Sequence, residues 1–189
     1  MVMACPDSCP FLASSKIHPP AVVRRQQEQD MSMVVPAMGG LTEGQQRLFI
    51  LCISLASRFR GDGLDAARDI DVADAADALA STYDTEAKGL IYEQRPGSLP
   101  AQRIAGELRT VLDQLGRDRP TAFARDAAAT LRRIGRLARS VDKSAPDTRT
   151  VFLDLAGRIA SRMGPMASRD SAAAVDLPPG DQGRSIILP

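Results

Sequence analysis

The 189-residue chain is predicted to fold as an all-α protein, an antiparallel bundle of about five helices with disordered N- and C-terminal tails. Three features point there. Apolar residues recur at helical spacing in five segments, and none alternates as a half-buried strand would. Turn and capping residues separate these segments at short intervals. Aromatic residues make up only 4% with no Trp, so the interior must be built from Leu, Ile, Val and Ala, which suit closely packed helices. The length fits one domain, placed at residues 41–163.

Residues 1–40 hold Pro6, Pro10, Pro19, Pro20, Pro36, Gly39 and Gly40 and no sustained periodicity, so they read as a disordered tail. Met31, Met33 and Met38 stand near its end and offer alternative translation starts. Thr42 and Gln45 then form a capping-box signature that opens a first helix running to about Arg60. Its apolar residues Leu48, Phe49, Leu51, Cys52, Ile53, Leu55, Ala56 and Phe59 cover more than half the circumference. Such a helix is central to the bundle or shares one side with a second copy in a homodimer, and the central position is the leading expectation.

A Gly-Asp loop (Gly61, Asp62, Gly63) leads to a second helix, capped by Asp71 and carrying Val72, Ala76, Leu79, Tyr83, Ala87, Leu90 and Ile91. Arg95, Pro96 and Gly97 break it. Ser98 caps a third helix with Ile104, Leu108, Val111, Leu112 and Leu115, closed by Gly116. Pro120 sits in the first turn of a fourth, with Phe123, Ala127, Leu131, Ile134, Ala138 and Val141 on one face. Pro146 and Asp147 open a fifth, with Val151, Phe152, Leu155, Ile159 and Met163, stopped by Gly164 and Pro165. Residues 164–189 lack an apolar repeat and read as a second tail.

Several chemistries fall away on composition. The single His18, with Cys5 and Cys9, supplies three candidate ligands where a closed zinc site needs four. No other His exists, which excludes His-based nucleophilic catalysis and dinuclear metal sites of the Glu-x-x-His kind. The acidic run from Asp69 fails as a calcium loop, because its sixth position is Asp74 and its twelfth is Ala80. Arg60-Gly61-Asp62 spells an adhesion tripeptide that a turn after a helix explains equally well. Cys52 lies in the apolar run as a small buried hydrophobe. No cofactor or metal is expected, and no catalytic residue stands out.

The longest apolar run, from Leu48 to Ala56, is too short to cross a bilayer, and no signal peptide is recognisable. The expectation is a cytoplasmic protein without membrane contact. Arg outnumbers Lys 21 to 3, the usage of a GC-rich and hence bacterial coding source.

The formal net charge is +1, yet the charge is unevenly placed. Residues 61–93 carry nine acids against two bases, and residues 117–143 eight bases against three acids. Arg125, Arg132, Arg136 and Arg139 fall on one stripe of the fourth helix, and Asp74, Asp77 and Asp84 on one face of the second. Both are expected to face solvent. Beyond a solvated face, the arginine stripe offers contacts to an acidic protein surface, to phosphate or to an anion, although sparse Lys, the missing aromatic platform and the acidic neighbour helix weigh against nucleic acid.

The segment from Gly89 to Arg103, GLIYEQRPGSLPAQR, holds the strongest candidates. Tyr92, Glu93, Arg95, Gln102 and Arg103 gather around a stiff Pro-Gly turn, with Leu99 expected to plug the bundle end and Glu93 to pair with Arg95 or Arg103. Stiffness lowers the ordering cost of binding, and Tyr and Arg dominate interface energetics. The leading functional expectation is a non-catalytic protein-interaction or regulatory module that uses the corner at residues 92–103 with the adjoining charged faces. The alternatives are a nucleic-acid-associated protein using the arginine stripe, and a small-anion binder or enzyme using Glu93, Arg95 and Arg103.

Overall fold

The computed structural model describes residues 20–60, 66–144 and 150–163. Six helices run through them: α1 (Pro20–Met38), α2 (Glu43–Ala56), α3 (Asp69–Glu86), α4 (Leu99–Leu115), α5 (Pro120–Ser144) and α6 (Val151–Met163). A 3-10 turn, Ser57–Phe59, extends α2, and no strand occurs among the described residues. The helical bundle expected from periodicity is the one observed. Cys5, Cys9 and His18, the loop at 61–63, Pro146, Asp147 and the segment from Gly164 onward lie outside the described residues.

Thr42 closes the expected capping box: its Oγ1 accepts from the Gln45 N–H at 3.3 Å, while its own N–H donates to Gln45 Oε1 at 3.1 Å. Every residue from Leu48 to Ala56 is buried or half-buried within the chain, with Phe49, Cys52 and Ile53 almost wholly enclosed. Helix α2 packs on α4, α5 and α6, so the wide apolar arc belongs to a central helix and is covered by its own chain. Burial pushes the Cys52 thiol up to about 12.

The most extensive helix pair is α3 with α5. Small residues allow it: Ala73, Ala76 and Ala80 on one side meet Ala124, Ala127, Ala128 and Ala138 on the other, all buried. Gly135 marks the tightest approach. A Cβ there would stand 2.5 Å from Asp77 Oδ1 and 3.4 Å from the Ala73 carbonyl oxygen. Leu131, Ile134, Leu153 and Leu155 complete the interior, each contributing about 1.5–3 kcal/mol by leaving water.

Helix α1 corrects the expectation of a tail through residue 40. It packs on α5, with Val34 in the core and Met33, Ala37 and Met38 against it, and a polar anchor that apolar periodicity does not register ties it to α6. The Asp30 carboxylate has no exposure and bridges to α6, taking Arg158 Nη2 at 2.8 Å and Arg162 Nη2 at 2.9 Å, with Gln26 Nε2 at 3.0 Å beside it. Val34 is buried next to this clamp, and Gly40, at φ +77°, turns the chain into α2. Burial pushes the Asp30 carboxyl up, but the hydrogen bonds from Arg158 and Gln26 and the two guanidinium charges outweigh it and leave the group below its ordinary value.

A depressed folded-state pKa means that the clamp stabilises above about pH 4 and loses this contribution as acid protonates Asp30. Asp30→Ala is expected to cost about 1–2 kcal/mol, because both arginines are a third exposed and recover water when released. Hydrogen exchange should quicken across α1 and leave α3 and α5 unchanged. Uniform quickening over the whole chain would contradict a local clamp.

Two further corrections concern α3. It begins at Asp69, so Asp71 lies inside the first turn, where its Oδ2 accepts the Arg68 N–H at 2.8 Å. It ends at Glu86 rather than near Ile91. Gly89, at φ +78°, reverses the chain in a Schellman closure: its N–H donates to the Glu86 carbonyl, and the Leu90 N–H to the Thr85 carbonyl, both at 2.9 Å. The closure throws Leu90 and Ile91 outward, away from the core that their helical spacing implied.

Candidate functional site

The corner between α3 and α4 spans residues 90–98 and is held from three directions. From α3, the buried Thr82 hydroxyl accepts the Gln94 N–H at 3.0 Å, and Thr85 Oγ1 lies 3.3 Å from the Tyr92 carbonyl oxygen. From the start of α3, Asp71 Oδ1 takes the Ser98 hydroxyl proton at 2.6 Å. Ser98 Oγ in turn accepts the Ala101 N–H at 3.2 Å as the cap of α4. From α4, Gln102 Nε2 donates to the Pro96 carbonyl at 3.0 Å. Asp71 thus ties two helix starts and the connector into one unit.

Arg109 is the electrostatic centre. Its guanidinium meets Glu86 at 3.3 Å, Glu93 at 3.2 Å and Asp113 at 3.4 Å, and Asp113 also accepts the Tyr83 hydroxyl at 2.7 Å. Burial, Asp113 and Glu93 together hold the Glu86 carboxyl above its ordinary value, against the opposing charge of Arg109. Burial and the Asp113 contact raise the Tyr83 phenol strongly, so it stays a hydrogen-bond donor. Arg109 carries a raised pKa despite partial burial, which opposes it, because Asp113, Glu93 and Glu86 favour the cation.

Arg109 separates two clefts. One, of about 190 Å³, is lined by Glu93, Gln94, Arg95, Pro96, Gln102 and Gly106. The other, of about 270 Å³, is lined by Tyr83, Glu86, Asp113, Gly116, Arg117 and Phe123.

Of the residues singled out from sequence, Tyr92, Glu93, Arg95 and Gln102 come together on this corner, and Arg103 sits exposed on the first turns of α4. Glu93 pairs with Arg109, correcting the expected Arg95 or Arg103, since α4 brings Arg109 back over the connector. Arg95 shares its cleft with Arg109, and Arg103 does not line it. Leu99 is 66% exposed and plugs nothing, because the buried face of α4 starts at Ala101. Leu90, Tyr92 and Leu99 are more than half exposed and Ile91 wholly so, making this the richest exposed apolar stretch among the described residues.

The arginine stripe is split. Arg139 binds Asp74 at 3.0 Å and also Asp77, and Arg132 binds Asp84 at 3.1 Å, which Lys88 holds from the other side at 2.6 Å. The acidic face of α3 and the basic face of α5 therefore meet along the edges of their shared interface. Both had been expected to face solvent, but the short Ala side chains bring the helices close enough for the flanking charges to touch. Arg125 and Arg136 stay exposed, with the Arg136 Nε donating to the Arg132 carbonyl at 3.3 Å.

Among the described residues no helix is long and apolar enough to cross a membrane, and no group of three His, Cys, Asp or Glu is placed to hold a metal ion. Comparison with family models, curated proteins and solved structures finds no match to this chain.

Proposed function

We propose that this protein is a non-catalytic, cytoplasmic interaction module whose docking surface is the corner at residues 90–103. One observation carries the reading: Leu90, Ile91, Tyr92 and Leu99 are presented to solvent from a backbone that α3 and α4 hold in place. A chain that only needed to turn between two helices gains nothing from four large apolar side chains in water, whereas a partner surface does. The preset conformation reduces the entropy lost on binding. Arg95 and Arg103 flank the apolar residues and supply the polar margin typical of such interfaces.

The test pairs binding with stability. Ile91→Ser/Tyr92→Ser in the full chain is expected to shift unfolding free energy by less than about 0.5 kcal/mol, because both side chains are exposed. The same change should abolish nuclease-resistant capture of a protein partner from source-cell lysate. Unchanged capture, or capture lost to nuclease alone, contradicts the proposal. So does a large loss of stability, which would make the corner structural.

A further inference from the structure

Helix α1 lies along α5, and between them runs an open cleft of about 310 Å³. Met33, Pro36 and Ala37 line it from α1, and Arg133, Arg136 and Leu137 from α5. The lining holds two arginines and no carboxylate.

Arg133 stands apart from the other arginines. Arg109, Arg133, Arg139 and Arg158 are the half-buried ones among the described residues. Carboxylates hold three of them: Arg109 meets Glu86, Glu93 and Asp113, Arg139 meets Asp74 and Asp77, and Arg158 meets Asp30. Arg133 alone makes no hydrogen bond or ion pair among the described residues. A guanidinium that gives up part of its water without gaining an acceptor costs free energy, which an oxyanion from outside recovers. Arg136, almost one turn on, gives only its Nε to a backbone carbonyl and keeps its Nη donors for the same anion.

The positive balance survives a count of every acid on α1, α2 and α5. On α1, Asp30 is taken by Arg158 and Arg162, and Glu28 by Arg24. On α2, Glu43 pairs with Arg47. On α5, Arg132 and Arg139 are matched by Asp84, Asp74 and Asp77 of α3. What remains on α5 is Arg125, Arg133, Arg136 and Lys143 against two acids: Asp126, which accepts from Gln45, and Asp142, whose charge acts on Asp69. The cleft volume lies at the small end of ligand sites, about 300–1,000 Å³, and suits a small molecule rather than a polymer.

We infer that the α1–α5 cleft binds a small organic anion with an apolar body. Its carboxylate or phosphate head meets Arg133 and Arg136, and its chain lies against Met33, Ala37 and Leu137. The site is separate from the 90–103 corner and stands without it. One wall belongs to α1, so binding is coupled to the Asp30 clamp: the ligand stabilises the docked helix, and a loosened helix weakens the site.

The probes are decanoate and decyl phosphate, titrated below their micelle concentrations into the ¹⁵N-labelled full chain. Acetate and inorganic phosphate serve as bare heads, and decyltrimethylammonium as the same chain with the opposite charge. The expected result is saturable binding of a decyl anion, at least about tenfold tighter than any of these controls, with amide shifts centred on residues 33–37 and 133–140. Hydrogen exchange in α1 should slow about threefold or more at saturation. A preference between the two decyl anions supports the site and identifies the head as carboxylate or phosphate. Arg133→Gln/Arg136→Gln should weaken binding about tenfold or more, and Asp30→Ala about threefold or more with both arginines in place. The probe series and the exchange readings use the unaltered chain, so they decide the matter even if a variant fails to fold. The inference is overturned by no saturable binding at millimolar probe, by equal binding of a bare head or of the cation, or by unchanged exchange in α1. Binding that survives either substitution overturns it as well.

Discussion

Asp69→Ala is expected to lower the unfolding free energy by about 2–4 kcal/mol, because Asp69 on α3 caps the start of a different helix. Its carboxylate is fully buried and accepts the N–H groups of Phe152 and Leu153, at 2.8 and 3.0 Å, in the first turn of α6. N–H groups in the first turn of a helix have no partner within it, and removing their acceptor leaves two buried donors unsatisfied. Urea denaturation measures the loss, and a change below about 0.5 kcal/mol would contradict the role.

Asn separates the cap from the charge. Burial pushes the Asp69 carboxyl up, the two N–H groups pull it down, and nearby Asp142 and Asp154 push it up again, leaving it above its ordinary value. A raised folded-state pKa means that the folded chain holds this proton more tightly than the unfolded one. Ionisation of Asp69 therefore subtracts stability as pH rises from about 4 through the folded value. Asp69→Asn keeps one acceptor and sheds that cost, so it should stay within about 1 kcal/mol of the parent. The parent should lose ground to it as pH climbs, and the opposite trend would overturn the assignment.

The second large effect is expected at Gly135. In an ordinary helix interior Gly→Ala stabilises by roughly 0.5–1 kcal/mol. Here the added carbon meets Asp77, which Arg139 holds in place across the α3–α5 interface. Gly135→Leu is expected to destabilise by about 3 kcal/mol, as overpacking forces the two helices apart. Gly135→Ala should also destabilise, by about 1 kcal/mol, and in an Asp77→Ala background it should become neutral or favourable. Additive behaviour in this double-mutant cycle would show that Asp77 is not the obstacle.

The helices that bury apolar stripes were legible in the sequence because periodicity reports burial directly. The Thr42 box and the Ser98 cap were legible because their partners lie three residues away. What escaped is held by polar groups acting over long sequence separations. Helix α1 docks through Asp30 onto arginines 128 and 132 residues later, and α6 is capped by a residue 83 positions before it. No local pattern announces such pairs. Arg109 was missed for the same reason, since Glu86 and Glu93 reach it only once α4 folds back over the connector.

The end of α3 was misplaced because Leu90 and Ile91 continue the helical spacing, and only the left-handed turn at Gly89 cancels it. That misplacement matters for function: the residues counted toward the core are the ones now exposed at the corner. The cluster at Tyr92–Arg103 was nonetheless visible as a stiff turn dense in Tyr, Arg and Gln. Its partners inside the fold were not.

The most direct test of the corner as a docking surface is site-specific photocrosslinking with the full chain in source cells. Benzoylphenylalanine is placed at Ile91, and, as a control, at Val35, which is half exposed on α1. The account predicts one discrete protein adduct from position 91 that resists nuclease and disappears with Arg95→Glu/Arg103→Glu, and none from position 35. Equal labelling from both positions, or no adduct at position 91, would contradict it.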